Sequence, residues 1–140
     1  MAIAYPIEGR NYILDAAVHN GAKISNWYVM LFEGDYTPQD SDTAANIGSR
    51  ATEITAYSEA TRPEFIENAP DNGKVDNQGS LAQFTMTAAK TIRGYALVSS
   101  AGKGTGTGKL LAIQKLATPK SYGIGDVVKD PITLSLFNMA

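Results

Sequence analysis

The loop from Gly102 to Lys109 (GKGTGTGK) has a composition that suggests phosphate binding. Phosphate-binding loops require two glycines with four residues between them, followed by a lysine and a hydroxyl side chain. In this chain Lys103 occupies the position of the first glycine, and Leu110 occupies the position of the hydroxyl. The apolar residues that follow predict a strand instead of the required helix. We interpret the segment as a flexible hairpin loop, or as a contact loop that becomes ordered on a partner.

Catalysis through an activated nucleophile has little support in the sequence. The single histidine, His19, would have to serve any Ser-His-Asp arrangement. No serine lies in the glycine pattern of a nucleophile elbow. With one histidine and no cysteine, the chain lacks the usual ligands of a zinc site. We therefore predict no catalytic residue, no cofactor and no metal site.

Four acidic residues cluster in one region of the chain, at Glu33, Asp35, Asp40 and Asp42. Calcium binds oxygen ligands of this kind, but the spacing matches no EF-hand loop. We predict a solvated loop, and whether it holds an ion stays open. A pair of carboxylates suited to glycoside hydrolysis also stays open, because the distance between two carboxylates depends on the fold.

Aromatic side chains offer a binding chemistry that needs no reactive group. Aromatic residues on strands usually belong to the core, whereas carbohydrate binding or interface anchoring would leave them exposed. The sequence favours the core and leaves exposed binding open for five residues: Trp27, Tyr28, Tyr57, Tyr95 and Tyr122.

Length and charge limit the classes of protein that fit. The 140 residues suit one domain, and the formal charge of -2 without a basic cluster disfavours a nucleic-acid partner. The first ten residues (MAIAYPIEGR) lack the features of a signal peptide. No run approaches the roughly 18 apolar residues of a membrane span. We expect a soluble chain with no membrane contact, and the lack of cysteine fits a reducing compartment.

The stretch Ser80–Thr118 contains three apolar runs separated by turn residues. The runs Leu81–Ala88, Thr91–Ser99 and Lys109–Ala117 predict a β-meander at the centre of a sheet. The last two runs are apolar on both faces. Both faces are therefore expected to be covered, one by an opposite sheet and the other by a loop, a helix or a second subunit. The alternative is that small side chains tolerate exposure.

A strict period of two assigns the side chains of these two strands to faces. In the first strand it separates one set, Ile92, Ala96 and Val98, from another, Tyr95 and Leu97. In the second strand it separates Leu110, Ala112 and Leu116 from Leu111 and Ile113.

The rest of the chain is predicted to add strands on either side of the meander. Met1–Gly9 is predicted to be an extended arm, because Pro6 argues against a helix start. Asn20-Gly21 predicts a hairpin turn, and a long connection contains one helical turn, Ala44–Ile47, capped by Ser41 or Asp42. Strands are predicted at Asn11–His19, Asn26–Phe32, Glu53–Tyr57, Glu64–Asn68, Lys74–Asn77 and Pro131–Asn138.

About eight strands at regular turn spacings predict an all-β fold. We expect a jelly-roll-like antiparallel β-sandwich that forms a single domain over residues 1–140, with a short N-terminal arm.

Several stretches of the chain resemble a known protein family. They are Asn26–Pro38 (NWYVMLFEGDYTP), Thr55–Phe65 (TAYSEATRPEF), Gly94–Gly104 (GYALVSSAGKG) and the ending GDVVKDPITLSLF. Together they resemble small virion proteins of short-tailed bacteriophages, the cement or head-decoration proteins. The resemblance spans most of the chain and carries structural motifs without catalytic residues.

The resemblance implies a jelly-roll subunit that dimerises, sits on the outside of an icosahedral capsid and clamps neighbouring major capsid proteins. Its partners would be the major capsid protein and a second copy of itself. The protein would be made in the host cytoplasm and reside in the virion. The alternatives are a tail or adaptor subunit, a carbohydrate-binding module, and an enzyme such as a sugar hydrolase or epimerase.

Two segments are predicted to make the contacts with partners. One is the apolar arm, and the other is the glycine-rich loop, whose lysine and threonines can reach adjacent subunits. The predicted contact residues are Ala2, Ile3, Tyr5, Pro6, Lys103, Thr105 and Thr107.

Overall fold

The computed structural model describes residues 3–136, which are mostly β-structure with two helices. The elements are α1 (Ile7–Ala17), β1 (Tyr28–Phe32), α2 (Ala44–Arg50), β2 (Lys74–Asp76), β3 (Phe84–Thr85), β4 (Lys90–Val98), β5 (Leu110–Tyr122), β6 (Val127–Val128) and β7 (Thr133–Ser135). Strands β1, β4 and β5 form a three-stranded sheet with β4 in the middle, and two ribbons pair β2 with β7 and β3 with β6. These pairings are all antiparallel. The prediction of a mainly β, antiparallel chain is confirmed.

The central strand β4 is buried on both faces. On one face, Tyr95 and Leu97 join the main core, a cluster with members from β1, β3, β4, β5 and β6. On the other face, Ala96 and Val98 join a second core, to which α2 contributes Ile47. The expectation that both faces are covered is confirmed, and the chain itself supplies the cover.

A register shift in β4 corrects the predicted face of one residue. The pairing of β4 with β5 is irregular just after Ile92. Ile92 therefore lies in the main core with Tyr95 and Leu97, and not on the face of Ala96 and Val98. The strict period of two was wrong here because a bulge changes which face the residues beyond it occupy.

A second irregularity corrects the predicted faces of β5. Leu97 pairs with Ala112 and the next residue pairs with Leu110, so Leu111 is an extra residue in the ladder. Leu111 and Ala112 both lie in the main core, whereas Leu110 and Ile113 lie in the second core. The extra residue breaks the alternation, as expected for a β-bulge.

The N-terminal segment differs most from the prediction. Helix α1 runs from Ile7 to Ala17. It includes the end of the predicted arm (Met1–Gly9) and most of the predicted strand (Asn11–His19). Pro6 precedes the helix at its N-cap, where no intrahelical N–H bond is required. The helix packs closely on β5, because a methyl group on Gly9 would overlap the carbonyl oxygen of Leu111. The argument from proline against a helix start was therefore wrong.

The residues Asn20-Gly21, predicted as a hairpin turn, lie just after helix α1. Asn20 has the expected positive φ of 63°, but the element before it is helix α1 and not a strand. The N–H of Gly21 donates to the carbonyl of Asp15 at 2.8 Å. The positive φ expected of a turn residue is confirmed at Asn20, but the prediction that these residues close a β-hairpin was wrong.

The predicted meander is correct for two of its three strands. Strands β4 and β5 form the expected hairpin, but β3 pairs with β6 and not with β4. The predicted strands Glu53–Tyr57 and Glu64–Asn68 are absent as regular strands from the described residues. Isolated bridges at Glu53 and Glu64 instead lie along β1.

Three further elements lie where they were predicted but differ in their bounds. Helix α2 is longer than the predicted single turn, and its capping box is formed by Thr43 with Asn46, not by Ser41 or Asp42. Strand β2 (Lys74–Asp76) confirms the predicted strand Lys74–Asn77, apart from its last residue. Strand β7 is shorter than the predicted Pro131–Asn138, whose last two residues lie outside the described part of the chain.

Both edges of the three-stranded sheet are protected. The segment 52–65 covers the outer edge of β1, with bonds such as Ile54 N–H to Leu31 carbonyl at 2.8 Å. The edge of β5 pairs with Ala4, and its far half carries Lys115, Pro119 and Lys120. Proline and lysine on an edge strand discourage pairing with another chain.

We predict that Gly94→Ala in β4 lowers the free energy of unfolding by about 2–3 kcal/mol. An added methyl group would overlap the ring of Phe32 and lie 2.5 Å from the carbonyl oxygen of Gln114. Gly48→Ala in α2 is the matched control, since its nearest neighbour is a Glu53 oxygen at 3.8 Å. Urea unfolding of both variants checks this, and equal midpoints would contradict the close packing at Gly94.

Candidate functional site

The predicted contact arm is docked on its own chain. Ala2 lies outside the described residues, and Ile3 belongs to the main core with 8% of its surface exposed. Ala4 exchanges two backbone bonds of 2.8 Å with Ile113. Pro6 is buried, and the hydroxyl of Tyr5 donates to the carbonyl of Ser135 at 2.9 Å. Residues 3–6 therefore complete the fold, so that a contact with a partner through Ile3 or Pro6 requires the arm to detach.

The Gly102–Gly108 loop connects β4 to β5 and is exposed at Thr105 and Thr107. Its backbone is held by its own side chains. The hydroxyl of Thr105 donates to the carbonyl of Gly102 at 2.7 Å, and that of Thr107 donates to the Ser100 hydroxyl at 2.9 Å. The loop presents two hydroxyl-bearing side chains from a fixed backbone.

A buried ion pair fixes the base of this loop. The side chains of Arg62 and Glu53 are 1% and 5% exposed, and the guanidinium binds both carboxylate oxygens at 2.7 and 2.8 Å. The same guanidinium donates to the carbonyls of Ser100 and Thr105, each at 2.9 Å. A Glu53 oxygen also accepts the N–H of Gly104 at 3.1 Å. All these bonds involve a charged group, which makes each one stronger than its neutral counterpart.

Lys103 folds back onto the protein instead of extending into solvent. Its ammonium donates to the carbonyls of Tyr57 and Glu59, both at 2.8 Å, and lies 4.3 Å from the centre of the Tyr57 ring. Burial raises the pKa of Tyr57. Burial alone would also raise the pKa of Glu59, but hydrogen bonds, chiefly from Thr85, hold that pKa below its usual value. Lys103 therefore anchors the loop to the segment that follows Glu53.

An exposed apolar face lies next to the loop. On α1 and just beyond it, Ile7, Leu14 and Val18 are 50%, 59% and 80% exposed. They line a groove of about 1110 Å³ that is bounded on its other side by residues 40–43. Lys109, which directly follows the loop, also lines the groove. The groove and the loop therefore adjoin at Lys109, and we call the two together the α1–loop surface.

The α1–loop surface has a rigid support. A carboxylate oxygen of Glu8 accepts the N–H groups of Ala44 at 3.0 Å and of Leu110 at 2.6 Å. One side chain thus joins α1 to the start of α2 and to β5. A carboxylate is also well placed at a helix start, where backbone N–H groups lack partners inside the helix.

The acidic cluster is engaged in ion pairs. Three of its members each form an ion pair with one basic residue: Glu33 with Lys90, Asp35 with Lys115, and Asp40 with Arg10. The prediction of a solvated loop holds for exposed Asp35 and Asp40.

Asp42 is the exception, because it is fully buried. It accepts bonds from the Tyr36 hydroxyl at 2.5 Å, the Gln39 N–H at 2.7 Å and Arg50 at 2.8 Å. These bonds fold the segment before α2 onto itself, so that Asp42 shapes one wall of the groove.

The remaining candidates divide between core and surface. His19 is exposed at the rim of the groove. Tyr57 and Tyr95 lie in the main core, as the sequence favoured, and the Tyr95 hydroxyl donates to Asp130. Burial is the main cause that raises the pKa of Tyr95. The other three aromatic candidates are half-buried: Trp27, Tyr28 and Tyr122.

Neither helix within residues 3–136 is long and apolar enough to span a bilayer. In the same residues, no three side chains of the metal-binding types are grouped so as to hold an ion. No protein-family model matches the chain, and no curated protein matches it at a significant level.

Sequence reasoning missed the exposed face of α1. The signal was present, because Ile7, Leu14 and Val18 follow one another at helical intervals of seven and four residues. Reading the segment as a strand concealed that interval. The buried pair Arg62 and Glu53 gave no signal, since their partners are distant in sequence.

We predict that Arg62→Met lowers the free energy of unfolding by about 3–5 kcal/mol, because it leaves a buried carboxylate without its partner. We also expect faster amide hydrogen exchange at Gly104, whose N–H bonds to Glu53. Urea unfolding and exchange measured by NMR check the two effects.

Arg10→Met is the matched control for this variant. Arg10 pairs with Asp40 at 2.9 Å, but the two side chains are 50% and 72% exposed. The expected loss is below about 1 kcal/mol. Equal losses in both variants, or unchanged exchange at Gly104, would show that the buried pair does not hold the loop.

Proposed function

We propose that this chain is a structural virion protein that binds the outside of an icosahedral phage capsid, as a homodimer, and clamps neighbouring major capsid proteins. The proposal starts from the stretches that resemble head-decoration proteins. The structural observation that carries it is the α1–loop surface, where an exposed apolar groove adjoins a loop with a fixed backbone.

The groove suits a protein partner because large apolar side chains on a helix are costly to leave in water. Ile7, Leu14 and Val18 are each at least half exposed and share one groove. Contiguous apolar surface of this kind, rimmed by polar residues, commonly marks a protein–protein contact. Asp15, His19 and Lys109 supply polar atoms around it.

The loop suits a partner because little conformational freedom remains to be lost on binding. Arg62, Glu53 and Lys103 already fix its backbone. Ordering a flexible segment subtracts from the free energy of association, so a segment ordered in advance binds more tightly for the same contacts. Thr105 and Thr107 thus remain proposed contacts, whereas Lys103 acts through its hold on the loop.

A capsid lattice would increase the effect of a modest contact. Identical sites recur on neighbouring capsid subunits, and a dimer that binds one of them holds its second surface near the next. The second association is then effectively intramolecular and gains from a high effective concentration. A dimer with two α1–loop surfaces can therefore clamp subunits that it would bind weakly one at a time.

The jelly-roll-like sandwich belongs to the same proposal. Supporting it, the main core contains residues of the three-stranded sheet and of the β3–β6 ribbon, and Val75 and Leu134 of the other ribbon pack against it. Both faces of the central strand β4 are covered by the chain itself, so the proposed dimer contact would use other surfaces.

We predict that Leu14→Glu and Val18→Glu each weaken binding to capsids at least about tenfold, which corresponds to 1.4 kcal/mol. Both side chains are mostly exposed, so the fold should tolerate the change. The measurement is co-sedimentation of the purified chain with capsids of the phage that encodes it, prepared without this protein.

Ile124→Glu is the control, because Ile124 is 77% exposed and lies outside the groove. It should bind like the parent. Capsids that never bind the parent chain and resist heat equally well with or without it would overturn the proposal. Labelled protein found at the tail instead of the head would favour the tail or adaptor alternative.

A further inference from the structure

A second concave site lies beside α1 and shares Tyr12 and Ile24 with the groove. It is a pocket of about 430 Å³. Four aromatic side chains belong to its lining: Tyr5, Tyr12, Trp27 and Phe65. The volume is within the range of sites that take small molecules, and such sites are usually apolar with a few polar groups.

The pocket is the place where the main core opens to solvent. Phe65 and Leu111, which are buried members of that core, line it. So do six partly buried side chains that pack against the core: Tyr5, Tyr12, Ile13, Trp27, Val75 and Leu134. A ligand that covers this opening removes apolar surface from water on both partners, which is the main driving force for apolar binding.

The polar atoms inside the pocket hold its walls. The Tyr5 hydroxyl donates to the carbonyl of Ser135 at 2.9 Å, and burial raises the pKa of Tyr5. The Tyr12 hydroxyl accepts the N–H of Ile24 at 2.9 Å. Trp27 stands edge-on to Tyr12, with 5.1 Å between the ring centres. The walls are therefore fixed before any ligand arrives.

This lining disfavours a sugar. Each hydroxyl of a sugar that leaves water needs a new hydrogen-bond partner, and an unpaired polar group is costly to bury. The Tyr5 hydroxyl already donates its proton to Ser135, so of these two tyrosines only Tyr12 keeps an O–H donor for the several hydroxyls of a sugar. A hydrocarbon or aromatic body loses no such bonds and fits the apolar interior.

The rim adds charge to the apolar interior. Lys23 and Lys74 are exposed and line the pocket together with one acid, Glu67. None of the three forms an ion pair within residues 3–136. The rim therefore carries one more positive than negative charge, and it favours an anionic group at the end of an apolar body.

We propose that this pocket binds a small amphiphile with an apolar body and a single carboxylate, of the size of a medium-chain fatty acid. The body would occupy the aromatic interior, and the carboxylate would lie at the rim near Lys23 and Lys74. The inference does not depend on the capsid role, because neither lysine lies on the α1–loop surface.

The fluorescence of a single tryptophan can test this proposal directly. Trp27 is its one tryptophan, and it lines the pocket. Decanoate, added below the concentration at which it forms micelles, should shift and saturate the Trp27 emission of the full-length protein. Decanol, which has the same body without the charge, should bind about three- to tenfold more weakly, as expected for the loss of exposed ion pairs.

Variants then locate the two parts of the ligand. Lys23→Gln/Lys74→Gln should lower the affinity for decanoate to that for decanol and leave decanol binding unchanged. Lys129→Gln is the control, because Lys129 is exposed and does not line the pocket. Leu134→Phe, which adds volume to the lining, should weaken binding of both probes.

Three results would overturn the proposal. The first is an emission of Trp27 that decanoate leaves unchanged up to the solubility limit. The second is equal binding of decanoate and decanol, which would remove the role of the lysines. The third is a Trp27 emission that responds to capsids and not to decanoate, which would make the pocket part of a protein contact. Failure of capsid binding alone leaves the decanoate result intact, so the two proposals fail separately.

Discussion

One guanidinium, removed from water, joins two parts of this chain that are distant in sequence. Arg62 binds Glu53 through two bonds and donates to two carbonyls of the loop between β4 and β5. Its own segment covers the outer edge of β1. A buried charge without partners would be very unfavourable, so these contacts must form together or not at all. The ion pair therefore selects one arrangement of loop and edge, and the α1–loop surface inherits its rigidity from that selection.

A second constraint comes from the central strand, which is apolar on both faces. The ribbons and the segment 52–65 complete the main core on one face, while α2 and its neighbours close the other. Several of the elements that cover these two faces are short: α2 has seven residues, and β3 and β6 have two residues each. None of them is long enough to be stable alone, so their stability comes from the side chains that they bury against the sheet.

The sequence predicted what depends on local pattern. The run Asn26–Phe32 is rich in branched and aromatic residues, and it contains β1. Features that depend on distant partners could not be predicted. The bulge at Leu111 is visible only from the pairing of two strands, and β3 finds its partner in β6 rather than in its neighbour β4. Arg62 reads as an ordinary surface residue, because arginine is rarely buried. Only the fold shows that Ser100 and Thr105 bring the carbonyl groups that it needs.

Helix α1 lines both concave sites, although its sequence resembled a strand. One side packs on β5 through Gly9, where any larger residue would collide with the carbonyl of Leu111. Tyr12 and Ile24 line both the groove and the aromatic pocket. The Tyr12 hydroxyl accepts the N–H of Ile24, which joins the two residues. The helix is thus a wall shared by two concave sites. Because Glu8 fixes this wall to α2 and β5, the two sites keep their shapes together, and the arm that leads into the helix contributes to both by completing the edge of the sheet.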